Sequence, residues 1–171
     1  MMNNSFIIRQ ARKGDLDDIM QVIEDARASL GARGIDQWQD GYPDSRAIVL
    51  DIERGEGFVV CQSDYVVAYV TIVFRGESAY DDLRGGQWLG NAPYVVVHRL
   101  SVRRGFERRG LATLMMRYAE RCAKDRGVCY FRIDTHRDNT YMLQMLNKFD
   151  FVYCGIVYYD HGERIAFEKI L

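Results

Sequence analysis

The apolar residues of this chain switch repeatedly between a strand period and a helix period. The order of those switches restricts the fold more than any single motif does. A short apolar run at 6–9 suits an opening strand, and Leu16, Ile19, Met20, Ile23 and Leu30 then recur at helical spacing. Asp15 is placed to cap that helix, and Gly31 and Gly34 to end it. The loop-like GIDQWQDGYPDS holds Trp38 and Tyr42, after which Asp44 can cap a short helix carrying Ile48, Val49 and Ile52. GEG at 55–57 breaks that helix, and FVVCQ and YVVAYVTIVF, joined by Ser63 and Asp64, read as a hairpin. Residues 75–93, rich in glycine and charge, read as an excursion from the sheet, and a strand over 94–102 follows.

From Gly110 the pattern predicts a helix with Leu111, Leu114, Met115, Tyr118 and Cys122 on one face. CYFRIDT is a strand, and Asp138 can cap a helix over Met142, Leu143, Met145 and Leu146. Two strands, FVYCGIVYY and RIAFEKIL, flank the turn DHGE. The order β-α-α-β-β-β-α-β-α-β-β predicts an α/β fold, a mixed sheet with helices on its faces. With 171 residues, 48% of them hydrophobic, and no repeat or linker, a single domain over 1–171 is expected.

Charge and cysteine content narrow the class. A net charge of −1 supplies no global field for nucleic acid, so none is expected as a partner. Cys61, Cys122, Cys129 and Cys154 form no CxxC pair, which points to free thiols in a reducing compartment and to no metal. The opening MMNNSFIIRQ lacks signal-peptide features, and no apolar run approaches the roughly 20 residues of a membrane span. The expected setting is cytoplasmic, away from the membrane.

Against this near-neutral background, VRRGFERRGLATLMM places Arg103, Arg104, Arg108 and Arg109 around one glycine where a helix begins. A helix N-terminus carries unpaired N–H groups and about half a positive charge, and a glycine there lets an anion approach the backbone. A P-loop would need GxxxxGK[ST] and a Rossmann turn three spaced glycines after the first strand; neither is present. Taken alone, the glycine and arginines could equally be a helix start with a solvated rim.

The ordered set HRLSV, ERRGLA, amphipathic helix, strand and DTHRDN resembles the GNAT superfamily of acetyl-CoA-dependent N-acyltransferases. Glu107, Arg108, Arg109, Gly110, Leu111 and Ala112 occupy its pyrophosphate pattern [QR]-x-x-G-x-[GA], with Glu107 departing from it. NTYMLQMLNKFDF looks like its N-x-x-A-x-x-L-Y-x-x-x-G-F segment. The resemblance implies a largely antiparallel sheet with a splayed central parallel strand pair and flanking helices. It implies acetyl-CoA as co-substrate, with the backbone of Leu100, Ser101 and Val102 along the pantetheine and the thioester carbonyl. The loop from Glu107 and the amides of Arg108, Arg109, Gly110, Leu111, Ala112 and Thr113 would hold the pyrophosphate. Asn139 would contact the pantetheine arm, and could equally be a cap. Leu146 stands where the family often has a tyrosine that protonates the leaving thiolate, and Asp150 where it has a glycine. Tyr141, Tyr153 or Tyr158 could serve instead. With a thiol near 8.5, departure as the anion at neutral pH costs only about 2 kcal/mol.

The acceptor half needs a base, because presenting a lysine-like amine neutral at pH 7 costs roughly 4–5 kcal/mol. His98, two and four residues before the pantetheine-contacting positions, is the first candidate. Asp134 and His136, which close the next strand, form the second pair. Either histidine could be a structural group, and Asp134 could bond a loop backbone. Trp38 and Tyr42 lie where the family builds an acceptor wall, and Tyr158 and Tyr159 could form another; loop aromatics also serve as core anchors. Glu163 and Arg164 read as turn charges. The expected activity is acetyl transfer to a primary amine, of a small molecule, by direct attack, since no cysteine sits where a covalent intermediate needs one. A protein or peptide amine acetyltransferase and a non-catalytic acyl-CoA sensor are the alternatives. Acceptor identity and homodimer formation are open at this level.

Overall fold

The computed structural model describes residues 5–171. The elements run β1 (Phe6–Gln10), α1 (Leu16–Ala32), α2 (Ser45–Glu53), β2 (Gly57–Gln62), β3 (Tyr65–Val73), β4 (Tyr94–Val102), α3 (Leu111–Asp125), β5 (Tyr130–Thr135), α4 (Thr140–Lys148), β6 (Val152–Tyr159) and β7 (Gly162–Ile170). This is the expected order. Residues 1–4, the start of the stretch read as lacking a signal, lie outside the described residues. The strands form one sheet in the order β1-β2-β3-β4-β5-β7-β6. Pairing is antiparallel at β1–β2, β2–β3, β5–β7 and β6–β7, and parallel at β4–β5. Among the described residues, no helix is long and apolar enough to cross a membrane.

The chain forms two compact units, residues 5–72 with His98–Arg117, and Val73–Val97 with Tyr118–Leu171. In the first, α1 sets Ile19, Val22 and Ile23 into a core with Ala11, Ile48, Val59, Cys61, Val66 and Tyr69. Leu16, Met20, Trp38 and Ile52 pack around it. Burial of each large aliphatic group contributes about 1.5–3 kcal/mol. Asp44 caps α2 as expected, accepting from the Ala47 amide at 3.0 Å. Asp15 stands at the N-cap position of α1, but its side chain makes no cap hydrogen bond there. It ends a 3-10 turn in right-handed helical geometry, and its carboxylate takes Arg9 (2.7 and 2.9 Å) and the Arg12 amide (2.7 Å). The Arg9 guanidinium holds the Asp15 carboxyl below the usual carboxylate range. Helix α1 runs through Gly31, and the chain reverses at Gly34 (φ +71°), where the Ile35 amide bonds the Leu30 carbonyl.

In the second unit, Val73, Tyr80, Val96, Val157 and Ala166 form the core, with Trp88, Tyr94 and Tyr159 against it. The 75–93 excursion is fastened to the sheet at several points. Arg84 exchanges backbone hydrogen bonds with Ile156 and the Leu89 amide donates to Glu168, while within the segment Trp88 Nε1 donates to the Tyr80 carbonyl. Glu168, fully buried on β7, also accepts from Arg132 of β5 at 2.7 Å, and Arg132 reaches the Gly90 carbonyl at 2.7 Å. The guanidinium lies over the rings of Tyr94 and Trp88, at 3.9 and 4.2 Å. A buried charge pair of this kind costs desolvation and is kept by the surrounding hydrogen bonds.

Three details differ from the sequence reading. The buried stripe of α3 is Leu111, Met115, Met116, Ala119, Glu120 and Ala123, while Leu114, Tyr118 and Cys122 are half-buried. Alanines permit the closest approach on that side, and Glu120 is tolerated there through Lys169 at 2.6 Å. Helix α4 is capped by Asn139, which accepts from the Met142 amide, and not by Asp138. Arg164 is a buried residue and not a turn charge.

All four cysteines are free thiols; Cys61 and Cys154 are buried, Cys122 is half-buried and Cys129 exposed. Burial pushes the Cys61, Cys122 and Cys154 thiols up, so their thiolates form only above the usual thiol range. At pH 8 a disulfide-exchange chromophore should therefore show one fast-reacting thiol per native chain. The fast phase should vanish in Cys129→Ser, and a second one of equal rate would contradict this burial pattern.

Candidate active site

In the first unit, β4 leads into the basic loop and the start of α3. The β4–β5 ladder covers only Tyr94, Val95 and Val96, paired with Tyr130, Phe131 and Arg132. Three residues further along β4, Arg99 takes φ +55°, an uncommon conformation for a non-glycine residue inside a strand. It breaks the period-2 alternation by which residues two and four apart, such as His98, Leu100 and Val102, would share one face of the strand. All three are half-buried, while Ser101 is buried and its Oγ donates to the Arg99 carbonyl at 2.8 Å.

Arg99 is held by a polar cluster that the sequence reading did not single out. Its Nη1 lies 3.0 Å from both Asp51 oxygens, and its Nη2 donates to the Tyr42 hydroxyl at 2.5 Å. Asp51, on the buried face of α2, also accepts from Tyr69 and Thr71 at 2.8 Å each. Burial together with Asp51 pushes the Tyr69 phenol far above its usual value, so it remains a donor. The available signal was an aspartate at the core-facing spacing of α2 (Ile48, Asp51, Ile52) and an arginine inside an apolar strand. Tyr42, expected as an acceptor wall, therefore anchors Arg99, and Trp38 (φ +67°) packs on the apolar core.

The four loop arginines divide by environment. Arg103 is buried, bonded to the Asp18 carboxylate and carbonyl and to the Tyr65 hydroxyl, so it is a structural brace and not a phosphate contact. The Arg104 amide donates to Asp25 at 3.0 Å. Arg108 and Arg109 are exposed, Arg109 lying over the Phe106 ring at 4.8 Å. The Glu107 carboxylate accepts from the Gly105 amide at 2.7 Å, so the residue that departs from the family pattern closes the loop on itself. Gly110 is exposed with φ +80°, and a Cβ built there meets no atom within 4 Å. The first intrahelical amide is that of Leu114, which bonds the Gly110 carbonyl. The amides of Leu111, Ala112 and Thr113 precede it and have no partner within the helix. This fits an anionic group such as a pyrophosphate.

In the second unit, Asp134 Oδ2 accepts from the hydroxyls of Tyr80 and Tyr159 at 2.8 Å each. His136 Nδ1 accepts from the Asp138 amide at 3.2 Å, which ties that nitrogen to the β5–α4 turn. Tyr158 is exposed, with the Arg84 guanidinium 5.1 Å from its ring centre, while its neighbour Tyr159 faces inward. Leu146 is fully buried, and Tyr141 and Tyr153 are exposed. Asp150 takes φ +62°, which accounts for the glycine expected at its place; aspartate tolerates that conformation better than most residues. Among the described residues, no group of three or more His, Cys, Asp or Glu could hold a metal.

The sequence profile of the Acetyltransferase (GNAT) family matches residues 19–151. A GNAT-family acetyltransferase from Streptococcus agalactiae is 36% identical, with a TM-score of 0.86 over 97% of this chain and 95% of that one. A GNAT-family acetyltransferase from Listeria monocytogenes shares the fold at 24% identity and TM-score 0.76, over 97% and 95% of the two chains. So does the PaiA N-acetyltransferase from Thermoplasma acidophilum, solved in complex with coenzyme A, at 15% identity and TM-score 0.71 over 98% and 99%. No curated protein matches the chain significantly. The chain belongs to the GNAT acetyltransferase family.

Removing the Asp51 carboxylate would leave the Arg99 charge without its counter-ion and take the shared acceptor from the Tyr69 and Thr71 hydroxyls. Asp51→Ala should lower stability by about 3–5 kcal/mol, measured as the shift in the urea midpoint at constant slope. A loss below about 1 kcal/mol would be that of an ordinary surface pair.

Proposed function

We propose that this protein transfers an acetyl group from acetyl-CoA to a primary amine of a small molecule by direct attack. The observation that carries this reading is the open N-terminus of α3 behind the self-closed loop at 107–110, in a chain of an acetyltransferase family. A relative of the same fold was solved with coenzyme A. In this reading the amides of residues 108–113 bind the pyrophosphate, and Arg108 and Arg109 add screened attraction. The backbone of Leu100, Ser101 and Val102 holds the pantetheine and the thioester carbonyl. Asn139, whose Oδ1 caps α4, offers its amide N–H₂ to the pantetheine arm.

His98 is the base we assign, taking the proton from the incoming ammonium directly or through water. His136 is less suited, because its Nδ1 already accepts the Asp138 amide. No tyrosine replaces Leu146 inside the core, so either the thiolate leaves as the anion or Tyr158 supplies the proton from its exposed position. Glu107 braces the loop and leaves the helix terminus open, which favours a working co-substrate site over a degenerate sensor.

Two experiments test this. Gly110→Glu adds bulk, negative charge and an unfavourable φ at the helix terminus. It should abolish the calorimetric binding of CoA to the folded protein; unchanged affinity would move the site elsewhere. His98→Ala should lower kcat/KM for an alkylamine by roughly 10²–10⁴, leave the affinity for CoA nearly constant and remove the acidic limb of the pH–rate profile. An unchanged profile in the folded variant would remove His98 from the chemistry.

A further inference from the structure

Arg99 holds a backbone conformation that a regular strand does not contain. Its φ of +55° lies inside β4, and a non-glycine residue keeps such a conformation only where its surroundings over-determine it. Groups of the first unit alone do so. Nη1 lies 3.0 Å from both Asp51 oxygens, and Nη2 donates to the Tyr42 hydroxyl at 2.5 Å, with the guanidinium 5.4 Å from that ring's centre. Asp51 is 4% exposed and is itself fixed by the Tyr69 and Thr71 hydroxyls at 2.8 Å each.

Tyr42 is fixed as firmly. Arg27 of α1 gathers the loop that carries it, donating from Nε to the Trp38 carbonyl at 3.0 Å. Its Nη2 donates to the carbonyls of Gly41 and Pro43 at 3.2 and 2.9 Å. The peptide that follows Arg99 is held from its other side, because the Ser101 hydroxyl donates to the Arg99 carbonyl at 2.8 Å. A planar trans peptide points its N–H opposite to its C=O, so fixing that carbonyl fixes the direction of the Leu100 amide. As a stabilising device a buried charge pair is weak, since apolar groups of equal volume serve as well. What a bidentate arginine adds is direction.

We propose that Asp51 and Tyr42 are positioning residues, which hold through the Arg99 guanidinium the turn in β4 that aims the amides of Leu100, Ser101 and Val102 at the thioester carbonyl. The inference rests on the acetyl-transfer reading above, in which that backbone receives the thioester. Neither side chain touches the reacting atoms. Each acts by restricting where a hydrogen-bond donor stands. A donor fixed before the oxyanion develops stabilises it without having to reorganise.

The test uses the whole protein and acetyl-CoA labelled with carbon-13 at the carbonyl. In the wild type, isotope-edited infrared spectra should place the bound carbonyl band below that of free acetyl-CoA, because a hydrogen bond weakens the C=O bond. Arg99→Lys keeps the charge and loses the fork; Tyr42→Phe keeps the ring and loses the hydroxyl. Both should return the band towards its free position and lower kcat about 10–100-fold, with KM for acetyl-CoA nearly constant. A wild-type band and a wild-type kcat in folded Arg99→Lys would overturn the proposal, whatever that variant loses in melting temperature. If it does not fold, the same two results in Tyr42→Phe would overturn it. A wild-type carbonyl that absorbs where free acetyl-CoA does would overturn it as well. Absence of turnover by the wild type with every amine would overturn the acetyl-transfer reading alone; a band shift lost in the variants would then still support the clamp.

Discussion

One strand residue in a left-handed conformation organises the first unit. Arg99 turns the backbone in the middle of β4, at a conformational cost of order 1–3 kcal/mol. Its guanidinium is fixed by Asp51 and Tyr42 while the Ser101 hydroxyl bonds its carbonyl. These contacts tie together the loop before α2, helix α2 and the strand, and β4 then delivers the chain to the loop at 103–110. A regular strand would have continued its alternation to Val102. Here the alternation is interrupted just before Leu100, Ser101 and Val102, the residues we propose along the thioester.

The element order was legible because it rests on period. Long apolar stretches such as β3 and amphipathic ones such as α1 are fixed by water over many residues, and no single side chain decides them. The Asp44 cap and the open Gly110 were legible for the same local reason, since a cap acts within three or four residues of itself. The misreadings of Asp15 and Asp138 show where locality ends. Asp15 is drawn to Arg9 on the preceding strand, and Asp138 loses the cap position to Asn139, which stands one residue closer to α4. Neither competition is visible as a pattern.

The candidate site was legible as far as its backbone, because a glycine and a helix start are read from spacing and Gly110 does stand just ahead of α3. The environments of the arginines around it are not encoded there. Arg103 and Arg104 are adjacent in sequence, yet one is buried and the other exposed, because Asp18 and Tyr65 hold the Arg103 guanidinium while Asp25 takes only the Arg104 backbone amide. Tyr80 and Tyr159 were equally hidden, since their convergence on Asp134 joins residues 54 and 25 positions apart from it.

The fastening of the 75–93 segment has a consequence for how such a protein could diversify. Its attachments at Arg84, Leu89 and Gly90 lie on the backbone and meet partners in β5, β6 and β7. Between those attachments Trp88 packs on the core and Gly86 has no room for a Cβ beside the Cys154 carbonyl, whereas the exposed Gln87 can change without loosening the segment. Variation on this segment is thereby confined to its exposed positions, and the sheet beneath is inherited unchanged.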